Sequence, residues 1–216
     1  MCGIAILPVV SAANSIEVPH IELEGQTSTV SEAESTPPYV YQPYEYKKLE
    51  KPASGDRNAA NIAAAAAYQK QLSGDLDAAI IGYNEALKLD PSYADVHGRL
   101  ALIYNKKKDQ KKALEHFEQA LAADPNAWKI RYNFAIILDQ AGFYNETVLE
   151  LKTVTQQNPT YAPAWLQLGK VYDERFGDKE NAIASYSRFV ELMPNDPSAG
   201  PVKSWLKKNV PSTPLQ

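Results

Sequence analysis

Prolines 91, 125, 159 and 194 each close a similar segment, at steps of 34, 34 and 35 residues. A fixed period of this length constrains the fold more than any other feature, because it predicts helical hairpins that bury their apolar stripes only by stacking on one another. Counted back from its closing proline, the second unit reads Leu100, Ala101, Tyr104, Ala113, Phe117, Ala120 and Pro125. The fourth reads Trp165, Leu168, Gly169, Tyr172, Ala182, Tyr186 and Pro194. Small residues at matched places let two antiparallel helices approach, and large ones fill the grooves beside them.

These registered residues resemble the tetratricopeptide-repeat (TPR) superfamily over roughly residues 59–194, most specifically in Trp165-x-x-Leu168-Gly169-x-x-Tyr172, Ala182-x-x-x-Tyr186 and Pro194. The third unit keeps Phe134, Ala135 and Pro159 but has Leu138 where an aromatic is usual and Thr147 where alanine is usual. The first keeps Ala79, Tyr83, Ala86 and Pro91 behind an alanine-rich first helix. The resemblance implies an all-α fold, a right-handed α-solenoid of four TPR hairpins plus a C-terminal capping helix, preceded by a disordered segment. The units are expected at 58–92, 93–126, 127–160 and 161–195, within a repeat region of 58–194, with the cap at 196–209 and a loose tail at 210–216. Helices are expected at 58–72, 76–89, 93–107, 110–123, 127–141, 144–157, 161–175 and 179–193. Gly74-Asp75, Lys108-Asp109, Gly142 and Gly177-Asp178 mark the turns inside the hairpins. The extra residue of the fourth unit is expected in its turn, at Arg175-Phe176-Gly177.

Upstream of the repeats the character changes. Residues 2–13 form a short apolar run ending in small residues, the anatomy of a signal-peptide core and cleavage site, though no Lys or Arg precedes it. This predicts an exported protein of a bacterial periplasm or cell envelope, with a cytoplasmic protein as the alternative. Cys2, the single cysteine, would carry a lipid anchor only if modified. Residues 14–57 read as a disordered acidic linker containing prolines and tyrosines. Four tyrosines between Tyr39 and Tyr46 give two readings, an extended tether or a segment that docks on this protein's own groove or on a partner.

Charge and motifs exclude several functions. The net charge is −4, and residues 14–56 hold eight acidic side chains against three lysines, leaving a nearly neutral repeat region. Nucleic acid, which calls for a basic stripe, is not expected as a partner. The one basic cluster, Lys106-Lys107-Lys108 with Lys111-Lys112, falls at a turn and reads as a solvated helix end. No apolar run reaches transmembrane length. His20, His97 and His116 sit in different elements without a second metal ligand nearby in sequence, and no Cys-x-x-Cys, phosphate loop or nucleophile elbow occurs. No catalytic residue, cofactor site or metal site is expected, and the protein is read as non-enzymatic.

What remains is a surface. Hairpins stacked with a small rotation leave an inner face lined by the first helix of each pair. Residues not consumed by packing there are Tyr68, Arg99, Leu102, Tyr132, Asn133, Ile136, Leu166, Gln167 and Lys170. Aromatic and aliphatic patches among amide and guanidinium donors suit an extended or helical peptide from a protein partner. The Lys/Asn clamp with which some TPR proteins grip a chaperone's C-terminal carboxylate is not assembled, since its places hold Ala64 and Tyr68, or Gly98 and Leu102. The expected function is a protein-interaction scaffold in assembly of a bacterial envelope complex. The alternatives are a cytosolic adaptor or co-chaperone and a self-assembling structural protein. If the register is right, Phe117→Ala lowers stability by about 3–5 kcal/mol in denaturant unfolding, whereas Lys107→Ala stays within about 0.5 kcal/mol.

Overall fold

A computed structural model describes residues 43–210. The leader expected at 1–13, most of the linker expected at 14–57, and the tail after Val210 lie outside the described residues. Among the described residues nine α-helices follow one another: α1 (Arg57–Leu72), α2 (Leu76–Leu89), α3 (Ala94–Lys106), α4 (Gln110–Ala123), α5 (Trp128–Ala141), α6 (Tyr144–Gln157), α7 (Ala162–Val171), α8 (Lys179–Leu192) and α9 (Ala199–Asn209). No strand occurs among the described residues. Within the repeats, α1 pairs with α2, α3 with α4, α5 with α6 and α7 with α8. Each hairpin then leans on the next through α2–α3, α4–α5 and α6–α7.

Local chemistry sets the boundaries. Asp56, Asp75, Asp109 and Asp178 each accept a hydrogen bond from the backbone N–H three residues on, and so cap α1, α2, α4 and α8. At the other end of each hairpin, Asp90, Asp124 and Asn158 donate their N–H to the carbonyl four residues back and then turn extended. The following proline both forbids helical continuation and pushes its predecessor toward β geometry. The Asp90 and Asp124 carboxylates fold forward onto the N–H groups of Ser92 and Asn126 at 2.9 and 3.0 Å, closing the corner with a second bond.

The core runs through the stack as three overlapping groups. Tyr83 sits among Ala60, Ala67, Ala79, Ala86 and Leu100. Phe117 and Phe134 pack with Ala101, Ala113 and Leu138, their ring centroids 5.7 Å apart. Tyr186, Leu168 and Phe189 close the C-terminal end, where α9 lays Val202 on them and Trp205 meets the Tyr186 ring edge-on at 4.9 Å. Lys203, Lys207 and Lys208 of α9 are exposed. That is the arrangement of a solubilising cap. Gly169 is required by this packing: a Cβ there would stand 2.4 Å from the Tyr186 ring.

One expectation about the fourth unit is corrected. The extra residue is absorbed before the turn: Tyr172–Phe176 form one π-helical turn that continues α7. The N–H groups of Gly177 and Asp178 both reach the Tyr172 carbonyl, and Gly177 stops the helix at φ 64°. A π turn takes one more residue per bonded ring, so the insertion leaves the register of α8 unchanged.

The hairpin turns at Gly74 and Gly142 use the left-handed conformation that glycine adopts freely, but in the second hairpin Lys108 occupies it, at φ 65°. A side chain with a Cβ is strained there by about 1–2 kcal/mol. Lys108 is exposed, so nothing else is lost on replacing it. Lys108→Gly is expected to raise unfolding stability by about 1 kcal/mol, read as a higher urea midpoint at unchanged slope.

Candidate partner-binding surface

The nine residues expected to line the first-helix face fall into columns one repeat apart. Tyr68, Leu102, Ile136 and Lys170 form one, Tyr132 and Leu166 a second, and Arg99, Asn133 and Gln167 a third. Tyr68 of α1, Arg99 and Leu102 of α3 make a ledge. Tyr68 and Leu102 are 36% and 40% exposed, and the Arg99 guanidinium lies 4.4 Å from the Tyr68 ring centroid. The stacking presents a broad cation-and-aromatic surface without burying either group fully. Farther along, Tyr132 is half-buried, edge-on to Tyr161 at 5.1 Å, and packs with Leu166 on the C-terminal core. Desolvation, and then the neighbouring Tyr161, push the Tyr132 hydroxyl above its ordinary pKa. Gln167 already donates its amide to Asp139 Oδ2 at 3.3 Å, Asn133 and Ile136 are half-buried, and Lys170 is exposed. Tyr68 and Leu102 are thus available beside Arg99, which also faces the Tyr83 hydroxyl, while Tyr132 and Gln167 are partly committed to the fold.

A second surface lies on the other side of the hairpins, along the second helices. Residues 43–56 have no regular secondary structure, as expected of a linker, yet they do not hang free. For this part the docking reading is the one observed, and the surface is the furrow between α4 and α6. Tyr44 and Tyr46 set their ring edges on Phe134 at 6.0 and 6.1 Å, and Tyr44 also meets Phe143 at 5.1 Å. The Tyr44 N–H donates to Glu146 Oε1 at 3.1 Å and the Lys47 N–H to Glu118 Oε1 at 2.8 Å, while the Lys47 ammonium pairs with Glu115. Desolvation, followed by the negative charges of Glu118 and Glu150, raises the Tyr44 and Tyr46 hydroxyls beyond the usual tyrosine range. Both therefore remain protonated and able to donate.

The segment is rooted where it enters α1. Gly55 donates its N–H to Asp90 Oδ1 at 3.2 Å, Asp56 donates to the Leu89 carbonyl at 2.9 Å, and Arg57 Nε pairs with Asp90 Oδ2. A Cβ at Gly55 would lie 2.0 Å from the Leu89 carbonyl oxygen, so only glycine permits this approach. Asp90 is buried. Desolvation pushes its pKa up, but the donors on Ser92, Arg57 and Gly55 outweigh this and hold it at about 2. The four glutamates and Gly55 escape sequence inspection because Glu115/Glu118 and Glu146/Glu150 read as ordinary charged helix faces until α4 and α6 are placed side by side.

The tetratricopeptide-repeat pattern matches residues 94–127 and 162–196, and a TPR-repeat pattern matches residues 72–108. This chain is a tetratricopeptide-repeat protein. It is 26% identical over 121 residues to the photosystem I assembly protein Ycf3 of Acaryochloris marina, covering 55% of this chain and 73% of that protein. It is 30% identical over 83 residues to the type IV pilus assembly protein PilF of Pseudomonas aeruginosa, covering 38% of this chain but only 33% of PilF. Among solved structures, MamA from Desulfovibrio magneticus superposes with a TM-score of 0.61 at 20% identity, over 73% of this chain and 91% of that one. At that identity the likeness is one of fold.

The TPR hairpin also brings together two histidines that their sequence positions separate. The antiparallel run of α3 and α4 sets His97 Nδ1 3.2 Å from His116 Nδ1, with His97 Nε2 3.2 Å from the Pro91 carbonyl and the Tyr104 ring stacked on His116. Among the described residues no group of three or more His, Cys, Asp or Glu side chains could hold a metal ion. Desolvation, then the facing His97, lower the His116 pKa to about 4 despite the nearby Glu115. Desolvation lowers that of His97 as well. An unfolded histidine titrates near 6.5, so between about 6.5 and 4 the unfolded chain binds the extra proton and stability falls as pH falls. Urea midpoints measured across that window are expected to drop in the wild type and to drop less in His116→Gln.

Proposed function

We propose that this TPR protein is a non-enzymatic interaction scaffold that holds a peptide or protein segment against its first-helix face. The observation that carries the reading is the Tyr68–Arg99–Leu102 ledge, with Tyr68 and Leu102 exposed around a half-buried Arg99. A guanidinium stacked on a ring offers planar donors beside apolar area, which suits a segment carrying an aliphatic or aromatic anchor next to a carboxylate or carbonyl. The columns continuing through Ile136, Leu166 and Lys170 extend that face over the later repeats. Asn133 supplies a further amide. The nine residues named from sequence are the proposed contact set.

Two relatives carry names of assembly factors, one for photosystem I and one for type IV pili. They support assembly of a multiprotein complex as the process served here. The pilus relative, with the leader-like run at residues 2–13, favours a cell-envelope complex. The photosystem relative favours the adaptor alternative. No helix among the described residues is long and apolar enough to cross a membrane.

The test is a cross-linked capture from native extract, comparing wild type with Tyr68→Ala/Arg99→Ala/Leu102→Ala. These positions are preferred to Tyr132 because Tyr68 and Leu102 are more exposed than it is. The variant should keep its helical circular-dichroism spectrum and melting temperature yet lose the captured protein. A protein retained equally by both would place binding elsewhere.

A further inference from the structure

The furrow between α4 and α6 offers more than its resident segment uses. Glu118, Glu146 and Glu150 are all buried there, a costly arrangement for carboxylates unless donors are brought to them. The resident brings two backbone N–H groups, one ammonium and the Tyr44 and Tyr46 hydroxyls, which are set toward Glu118 and Glu150, and Arg131 meets Glu150 at 2.5 Å. One oxygen, Glu118 Oε2, is still buried without a hydrogen-bond partner. Beside it lies a cavity of about 240 Å³ whose lining includes Tyr46, Leu49, Leu121, Arg131 and Phe134. Room and acceptor strength are both left over.

We propose that this furrow is a second peptide-binding site, distinct from the first-helix face, and that Tyr44–Leu49 is its built-in competitor. Its partner is an extended segment of another protein in which two aromatic residues stand two apart and a cationic residue follows. The spacing comes from the strand-like period of an extended chain, which puts residues 44 and 46 on one side where both rings meet Phe134. The cation comes from charge complementarity, as Lys47 on Glu115 shows. A partner displaces the resident by doing what it does not: donating to Glu118 Oε2 and filling the cavity with a larger ring. Because the resident is tethered a few residues from its root at Gly55, its effective concentration is on the order of millimolar, so a weak segment is excluded and a well-fitting one is admitted. The resident has no helix or sheet bonds of its own, so what opening breaks is its set of contacts to the glutamates and phenylalanines, which a partner segment replaces.

The test uses the full chain and a fluorescein-labelled synthetic peptide of its own residues 43–54 as probe, followed by anisotropy. A receptor whose site is mostly closed shows a weaker apparent affinity by the open fraction. Tyr44→Ala/Tyr46→Ala should therefore bind the probe about tenfold or more tightly than wild type, and adding Glu118→Gln/Glu146→Gln should abolish the gain. Gly55→Ala, which forces the root of the segment off the Leu89 carbonyl, should give the same gain with both tyrosines present. It serves as the second opening should the double variant lose helicity. The proposal is overturned if neither opened variant binds better than wild type, or if the gain survives the glutamine changes. It is also overturned if light scattering shows Gly55→Ala doubling in mass without probe, since the segment would then be exchanging between copies of this chain.

Discussion

The structure depends on one contact repeated from hairpin to hairpin, a small residue of the first helix under a large side chain of the second. Gly169 under Tyr186 is its tightest form, with no space for even one carbon more. Ala101 with Phe117 and Ala67 with Tyr83 repeat it in the second and first hairpins, all fully or almost fully buried. Close approach of two helices is what lets helices of only ten to sixteen residues bury enough apolar area to persist. It also decides which side chains are left facing outward. The residues turned into the seam are fixed by this contact, so those turned away from it on the first helix, Tyr68, Leu102, Ile136 and Lys170, recur at the same spacing as the seam itself.

Most of this was legible from the sequence because both the period and the punctuation are local. Helices α1 to α6 and α8 end within one residue of those expected, since an Asp cap or an Asp-Pro corner acts on its own neighbours wherever the chain goes; α7 gives way to the π turn after Val171, and the cap begins at Ala199 rather than 196. The fourth unit shows the limit. An extra residue is visible as a 35-residue step, but a longer turn and a π turn spend it equally well in sequence. What decides between them is the need for both Tyr172 and the Asp178-capped α8 to keep their places over the core. That is a tertiary demand.

The furrow was illegible for a related reason. Its parts come from separate elements: an extended segment, α4, the middle of α5 and α6. Two glutamates three apart on α4, and two four apart on α6, have the pattern of a solvated face in any single helix. Glu118, Glu146 and Glu150 become buried, and Glu115 partly so, only when three conditions coincide: α4 and α6 lie side by side, Phe134 of α5 floors the gap, and the upstream chain runs back along it. The histidine pair repeats the lesson, since 19 residues of sequence separation become 3.2 Å once α3 and α4 fold against each other. Pairing across a hairpin is readable only after the hairpin has been drawn.

The two faces differ in a way that follows from how each is filled. On the first-helix side, Arg99 lies over Tyr68 and the ledge stays open to solvent. On the second-helix side, carboxylates and phenylalanine rings lie under the chain's own tyrosines. Burying charge without donors is far costlier than leaving apolar area exposed. A desolvated acidic furrow therefore requires an occupant at all times, whereas an aromatic ledge tolerates being empty. The cis segment satisfies that requirement in the unbound protein. Any exchange at the furrow must consequently replace one set of N–H and ammonium donors with another, and this makes its selectivity a matter of hydrogen-bond donors before it is a matter of apolar fit.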